Sequence, residues 1–582
     1  MKLSQAYDIT INLVRTMTHQ VFDVLDLSFT TRIHEDYTII VEVVSSDSAR
    51  NALSAKRGLV VGEWYGVEVC FHQHQKLMYL QGVCTELVAT GRYANDSELQ
   101  VLTLRSEFFP LFNNQRAGIY YGGSINDVID RGLINLTREY HLNLHTDIEK
   151  KLMQNLSVAY PAQLSLTQYF EADMAFVLRL LRQSGVWFNF YHPVVLANQF
   201  KSGSSEKVKV IIGDHNAVLM RCPDKIKILK KTESQLDGFY DIEYTQAGTA
   251  IGEVAGVYYD EIMGEMLTCS AKIPGGQGYR VLKYILPQTV LTEAQMQYQT
   301  QVVADSLSLR QQILSGSFQG LFIQAGVVIE LEGEHHIAGE YILSEVQYHF
   351  SKKANGEHVG LYQQNHRFKS YPLKVNYHEA VVDDQGQEPK LYRARKYQGV
   401  MPGVFALTQG SQTVVPDNLG SIPLWFPYNY WYTCQGQTCR YTRVISHANQ
   451  GGRAGVSFPF YQDTEFILMF VNGDLDRPLI KGTAANNLTG HLHDQGVQKR
   501  SALALPQGQH LLYSNVSGDQ NFLKWGATHN EGSDETHMLL SNYPNPELPG
   551  VGKMDYQQAS TQSYERVVNS NSCSKAGCVD TT

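Results

Sequence analysis

Short apolar runs broken by polar turns open the chain. Tyr37 to Val44 (YTIIVEVV) reads as a strand, and Gly66 to Phe71 (GVEVCF) alternates as a half-buried strand does. Leu77 to Val88 supplies an antiparallel partner across a polar turn. From Gly123 to Leu136 the period lengthens. Ser124 is placed to cap a helix that turns Ile125, Val128, Ile129 and Ile134 to one side. A clearer helix begins at Glu171, where Met174, Val177, Leu178 and Leu181 recur along one stripe. Glu171 and Asp173 in its first turn suit the helix dipole, and Gly185 closes it. Val186 to Tyr191 follows as a strand, and Asn198 to Lys207 as a surface loop. A third helix is predicted from Glu293 to Leu314, with Thr292 as cap, Val303, Ala304 and Leu307 inward, and Gly316 as stop.

Strand patterning returns at Phe318, and Gly326 to Phe350 reads as two strands around a tight turn at Glu332–Gly333. The polar stretch 376–396, centred on Asp383 to Pro389, reads as a linker. Short strands parted by Gly, Pro and Asn then run to about residue 488, the pattern of a small barrel or sandwich. The remainder thins into polar residues, with one hairpin between Leu511 and Trp525 and a coil from Ser541 to Gly550. At roughly 100–200 residues per domain, 582 residues allow about three to five domains.

Composition narrows the choice. An apolar share of 43% with 11% aromatics excludes wholesale disorder. A net charge of −9 argues against a protein built to grip a phosphate backbone. No apolar run reaches the roughly 18–20 residues that span a bilayer, and the N-terminus lacks the apolar core of a secretory signal. The chain is therefore expected to fold in the cytoplasm and to leave, if at all, by another route. Eight cysteines are too few for a disulfide scaffold. Cys70, Cys84, Cys222 and Cys269 stand singly, while Cys434/Cys439 and Cys573/Cys578 form two C-x4-C pairs. The second pair, in a polar tail, suits either a disulfide formed after export or two thiols.

The usual catalytic signatures are missing: no G-x-S-x-G elbow, no phosphate loop, no H-E-x-x-H helix. His34-Glu35 and His378-Glu379 lack a second histidine, and Gly275-Gly276-Gln-Gly278 does not continue as a dinucleotide fingerprint. Cys70, His72 and His74 share one face of a strand, but ligands there stand about 6.6 Å apart, wide for one ion. An ordinary half-exposed strand accounts for them. Glu334-His335-His336 suits a solvated turn, and Asp214-His215 a turn after the strand Val208 to Ile212. No catalytic, cofactor-binding or metal residues are assigned, and no cofactor is expected.

Several segments together resemble the VgrG family, the tip proteins of type VI secretion systems. The most specific is Leu166-Thr-Gln168-Tyr169-Phe-Glu171-Ala-Asp173 through Phe176, Arg179-Leu-Leu and Gly185 to His192, in which Ala172 replaces the family's hydroxyl residue. Gln81 to Glu86, Ala325-Gly326 with Gly339 to His349, and Asn365 to Pro372 resemble further hub motifs, the last with one extra residue. In the barrel, Asp417 to Pro427, Thr438 to Val444, and Phe458 to Gly482 match, with Ser421 for Arg, Asp463 for Gly and Leu475 for Pro. Asp476-Arg477-Pro478 suits a tight turn between strands.

The resemblance implies a mainly β fold with some α. Phage-hub-like β-barrel domains would occupy 1–375, a linker 376–396, an OB-fold barrel 397–489, and a short spike or tail 490–582, the whole a homotrimer. It implies a non-enzymatic puncturing tip that sits on an Hcp tube and baseplate proteins and carries a PAAR-like cap or an effector. The tip would be injected without a signal peptide or a stable membrane span. The family's long valine- and glycine-rich needle repeat is not seen. In such a trimer His491-Leu-His493 would bring six imidazoles to the axis, enough for an octahedral metal if the segment lies there. Other readings are a phage or tailocin hub, a cell-wall hydrolase, for which no inserted domain of about 100 residues is apparent, and an OB-fold oligonucleotide binder, which the net charge disfavours.

Overall fold

The computed structural model describes residues 9–16, 20–45, 59–71, 76–92, 98–123, 147–151, 163–196, 207–229, 237–246, 251–260, 263–276, 278–286, 292–333, 337–352, 362–378, 380–381, 396–405, 413–414, 420–426, 440–444, 460–461, 464–487, 501–504, 509–514, 522–529, 534–541, 555–560 and 564–569. The chain divides into two compact units, Met1–Lys396 and Tyr397–Thr582.

Alternating strands build the first unit. Ile9–Arg15, Gln20–Arg32, Thr38–Ser45, Glu98–Arg105, Lys76–Arg92 and Trp64–Phe71 pair antiparallel, each with the next. The ring closes because Ile9–Arg15 also pairs with Trp64–Phe71. Strand residues of period two point inward: Phe29, Ile39, Val41, Tyr65, Val67, Val69, Leu80, Leu102 and Leu104 are fully buried. Each such side chain contributes roughly 1.5–3 kcal/mol.

A second ring grows from the first. The later half of Gln20–Arg32 leaves the first ring's closing strand and pairs, through Asp26–Arg32, with Glu345–Ser351 of the long strand Gly339–Lys352. That strand also pairs with Val327–Glu332 and with His366–Pro372, which leads on to Gln312–Gln319 and Gly238–Gln246. Ile226–Lys227 lies parallel to Val327–Glu332, and Ile228 bridges to Phe239, so this ring closes as well. The Leu229 N–H donates to the Phe239 carbonyl at 2.7 Å.

Among the described residues three α-helices accompany these sheets: α1 (Phe109–Asn113), α2 (Asp173–Gln183) and α3 (Glu293–Leu309). α2 follows the hairpin Gln115–Gly123/Gln163–Ala172 and precedes Trp187–Tyr191, a strand buried at every position. α3 covers a three-stranded sheet, Ile251–Asp260, Glu265–Lys272 and Arg280–Ile285, with a hydrophobic core of its own. In the second unit, Met401–Phe405, Ser421–Trp425, Arg440–Val444, Pro478–Ala484 and Glu465–Phe470 form a closed barrel. Its third and fifth strands in sequence run parallel, Arg443 beside Leu479, while the other pairings are antiparallel, which is the OB-fold arrangement. A six-stranded antiparallel meander follows: Ser501–Ala504, Gln509–Ser514, Phe522–His529, Asp534–Ser541, Asp555–Ser560 and Tyr564–Asn569.

The sequence-based elements are corrected in four places. Glu171 lies at the end of a strand, and α2 starts at Asp173. α3 has its predicted Thr292 capping box but stops at Leu309, because Gln312–Gln319, Gly316 included, is held as a strand between Gly238–Gln246 and His366–Pro372. Tyr377, His378 and Val381, inside the stretch read as linker, are buried, with the Tyr377 N–H donating to Asn216 Oδ1 at 2.8 Å. The tail holds six strands where one hairpin was read. The expected helix at 124–136 and most of the 198–207 loop lie outside the described residues.

Gly326 has φ +78°, and a Cβ there would fall 2.3 Å from Asn189 Nδ2 and 2.8 Å from the Tyr191 hydroxyl. Both the left-handed backbone and the contact exclude a side chain. Gly326→Ala is expected to destabilise the hub by about 1–3 kcal/mol, read as a lower thermal midpoint. An unchanged midpoint would show that the junction tolerates a methyl group.

Candidate functional site

The strand-to-helix turn at Gln168–Asp173 gathers the densest set of buried polar side chains. Phe170 has φ +47° and is the extra residue of a bulge, since Glu171 pairs with Arg116 but Tyr169 with Ala117. The bulge leaves Glu171 beside α2. There the Arg179 guanidinium donates from Nη2 to Glu171 Oε1 at 2.7 Å, from Nε to Oε2 at 3.3 Å, and from Nη2 to the Thr167 carbonyl at 3.3 Å. The Arg179 group also lies over the Phe176 ring, 5.3 Å from its centroid. Asp173, buried at the helix start, accepts from Gln168 Nε2 at 2.8 Å and pairs with Arg116 Nε at 3.3 Å. Each buried charge thus meets an opposite one, which its removal from water requires.

The remaining hub motifs meet close by. Asn189 Nδ2 donates to the Ala325 carbonyl and the Tyr191 hydroxyl to the Gly326 carbonyl, each at 2.7 Å, joining two of them. The His192 ring stands edge-on to Tyr37 at 4.4 Å, and the Tyr37 hydroxyl donates to the Gln81 carbonyl at 2.6 Å, bringing in the third. The His349 N–H donates to His366 Nδ1 at 3.1 Å, adding the fourth. At the far end of α2, Gly185 has φ +73°, and a Cβ there would meet Val302 of α3 at 2.7 Å. The motifs hold the two rings and the helices together.

The other candidates fare as follows. Asp214 and His215 are adjacent, Oδ1 to Nδ1 2.6 Å, at the start of a 3-10 turn. His34 has φ +62°, and its N–H donates to the Phe188 carbonyl at 2.9 Å. His378 is buried, with Nδ1 2.9 Å from the Gly185 carbonyl oxygen. Gly275, at φ +74°, sits in a turn that leads to a strand. Cys70 lies in the strand Trp64–Phe71, and His72 and His74 lie outside the described residues. So do Glu334, His335, His336, His491, His493, Cys434, Cys439, Cys573 and Cys578. Among the described residues no group of three His, Cys, Asp or Glu is placed to hold a metal ion, and no helix is long and apolar enough to cross a membrane. In the barrel turn, Asp474 Oδ1 accepts from the Asp476 N–H at 2.9 Å and its carbonyl from the Arg477 N–H at 2.9 Å. Arg116 and Tyr37 escaped the sequence reading: one opens a hairpin strand and the other an apolar strand, and neither carries a local signal.

Two joined, mainly antiparallel rings with an inserted α/β module are the architecture of a phage-tail hub, and here an OB-fold barrel follows on the same chain. A family model described as the phage tail baseplate hub (GPD) matches residues 31–354, more than half of the 582. The chain belongs to that family, whose members are structural hubs. No curated protein matches it. Among solved structures, the E. coli c3393 protein, a type VI secretion component described as similar to the T4 bacteriophage tail proteins gp27 and gp5, is 15% identical with a TM-score of 0.53, over 81% of this chain and 99% of that one. The Francisella PdpA–VgrG complex in its lidded form is 8% identical with a TM-score of 0.57, over 93% and 80%. Its lidless form is 8% identical with a TM-score of 0.56, over 95% and 99%. At these identities the likeness is one of fold.

Removing one partner of the Glu171–Arg179 pair strands a buried charge. Arg179→Met is expected to cost about 3–5 kcal/mol in denaturant unfolding, and adding Glu171→Gln to recover part of it. Equal losses for the single and double variants would show that the pair is not coupled.

Three buried imidazoles predict a pH dependence. Burial pulls His192 and His366 from 6.5 to about 3, and His378 to about 4. The unfolded chain takes up these protons near pH 6.5 and the folded chain does not. The stability is therefore whole above pH 6.5 and lost progressively as the pH falls toward 3. Burial acts oppositely on Asp36, raised to about 6, and raises Asp305 too, so each regains stability as it is protonated. With about 2 kcal/mol lost per histidine by pH 5, the sum is a loss. The thermal midpoint should be lower at pH 5.0 than at pH 7.5; a higher midpoint at pH 5.0 would mean that the carboxylates dominate.

Proposed function

We propose that this chain is the trimeric tip of a type VI secretion machine: a hub seated on the Hcp tube and baseplate, continued by OB-fold barrels and a short β spike that carries a cap or an effector. The observation that carries this reading is the order of parts on one polypeptide, with fold likeness to VgrG-type proteins running through hub, barrel and C-terminal sheet. A tip driven by sheath contraction needs rigidity, which closed rings and a closed barrel supply, and it needs no active site.

Light scattering on the purified chain should give about 196 kDa, three times 65.5 kDa. A monomer at 65.5 kDa would remove the autonomous trimer from the proposal. Family membership favours one second reading, a phage or tailocin hub. Release that stops when sheath contraction is blocked, together with co-purification of Hcp, supports the type VI assignment; incorporation only into phage-like tails supports the second.

A further inference from the structure

The last strand of the second ring, His366–Pro372, runs on into a segment that joins no sheet: among its described residues, 373–378, 380 and 381, none lies in a helix or strand. Single anchors hold it instead. Asn216 clasps it from both sides, its Nδ2 donating to the Val375 carbonyl at 2.9 Å and its Oδ1 accepting from the Tyr377 N–H at 2.8 Å. Tyr377 is fully buried in a core with Trp187, Ile211 and Ile342. Val381, four residues on, belongs to the separate core under α3. Between them His378 Nδ1 donates to the Gly185 carbonyl, just past the end of α2, at 2.9 Å. One short segment thus fastens α2, the module under α3 and the second ring to one another. It also leads toward the second unit, which begins at Tyr397.

The His378 anchor suits one protonation state. A carbonyl only accepts, so Nδ1 carries the ring proton and Nε2 the lone pair. Nε2 faces Asp305 Oδ2 of α3 at 3.9 Å, too far for a hydrogen bond, while Asp305 Oδ1 is taken by Gln301 Nε2 at 2.7 Å. Asp214 acts on the ring from the end of the strand Lys209–Gly213, with His215 2.6 Å from it. The Tyr298 hydroxyl of α3 is the other neighbour at Gly185, where a Cβ would meet it at 3.1 Å and His378 Nδ1 at 3.0 Å. A proton on Nε2 places a cation in a site only 3% exposed. Asp214 attracts that cation, yet burial outweighs it and pulls the imidazole from 6.5 to about 4. Burial also pushes Asp305 up, so in mild acid it offers less countercharge.

We propose that residues 373–381 form a strap that undocks in acid while the rings stay closed, with His378 as its latch. An undocked His378 regains its ordinary affinity for a proton, which between pH 7.5 and 5.0 favours the undocked strap by about thirtyfold. Asp305 works against it, because its carboxyl is protonated more readily while covered, and the net gain is expected at about tenfold. A segment without a sheet ladder can open in this way alone, since no strand pairing has to break with it.

Amide hydrogen exchange of the full chain at pH 7.5 and 5.0, corrected for the intrinsic pH dependence of exchange, tests this by mass spectrometry. Over 374–381 the wild type should lose about tenfold in protection at pH 5.0. The strand 366–372 should lose less. His378→Gln keeps an N–H for the Gly185 carbonyl and does not titrate in this range, so its strap should be protected equally at both pH values. Wild-type protection over 374–381 that is unchanged or higher at pH 5.0 overturns the proposal. So does an equal loss over 366–372, which needs no variant to observe and means that the strap opens only with the ring. A pH 5.0 loss that persists in His378→Gln removes His378 as the latch.

Discussion

The fold depends on one strand serving two rings. Gln20–Arg32 is a member of the first ring and, through Asp26–Arg32, pairs with a strand of the second that lies more than three hundred residues later. Side-chain alternation fixes this register, because a slip of one residue would turn Val24, Leu27 and Phe29 out of the core. Closing so long a loop costs entropy, so the junction between the rings is expected to form after the rings themselves, whose own pairings lie within residues 9–105 and 226–372. The polar inventory follows from the same constraint. Wherever two segments remote in sequence must meet, a directional bond marks the place, as with Asn189 to Ala325, Tyr37 to Gln81 and Tyr362 to Val24.

Much of the fold was legible. Tyr37–Val44, Gly66–Phe71 and Leu77–Val88 stood out by period alone, and Thr292 marked the start of α3 because a capping box is a local device. Its end was not legible. Residues 310–316 have acceptable helical composition, and their strand state comes from partners at 238–246 and 366–372. Glu171 was read as a helix-dipole acid for the same reason: its true partner, Arg179, becomes visible only once the Phe170 bulge turns the strand. The tail misled in the opposite sense. Strands of four to eight residues with mixed faces, such as Asp555–Ser560, carry too little hydrophobic periodicity to be told from coil.

The motifs that carried the family resemblance prove to be architectural. Gln168, Glu171, Asp173 and Arg179 satisfy one another, and what they position is α2 between the hairpin before it and the buried strand after it. Such closed polar networks specify one arrangement among several compact ones, since a shifted helix would leave four polar groups without partners in a low-dielectric interior.

The module under α3 leaves and re-enters the second ring between Gln246 and Gln312, and those two residues are cross-strand partners. The whole excursion is therefore topologically equivalent to the loop of a hairpin. It carries its own core, so the ring's hydrogen-bond ladder is indifferent to what fills that loop. An insertion at that point can change in content while the ladder that flanks it keeps its register.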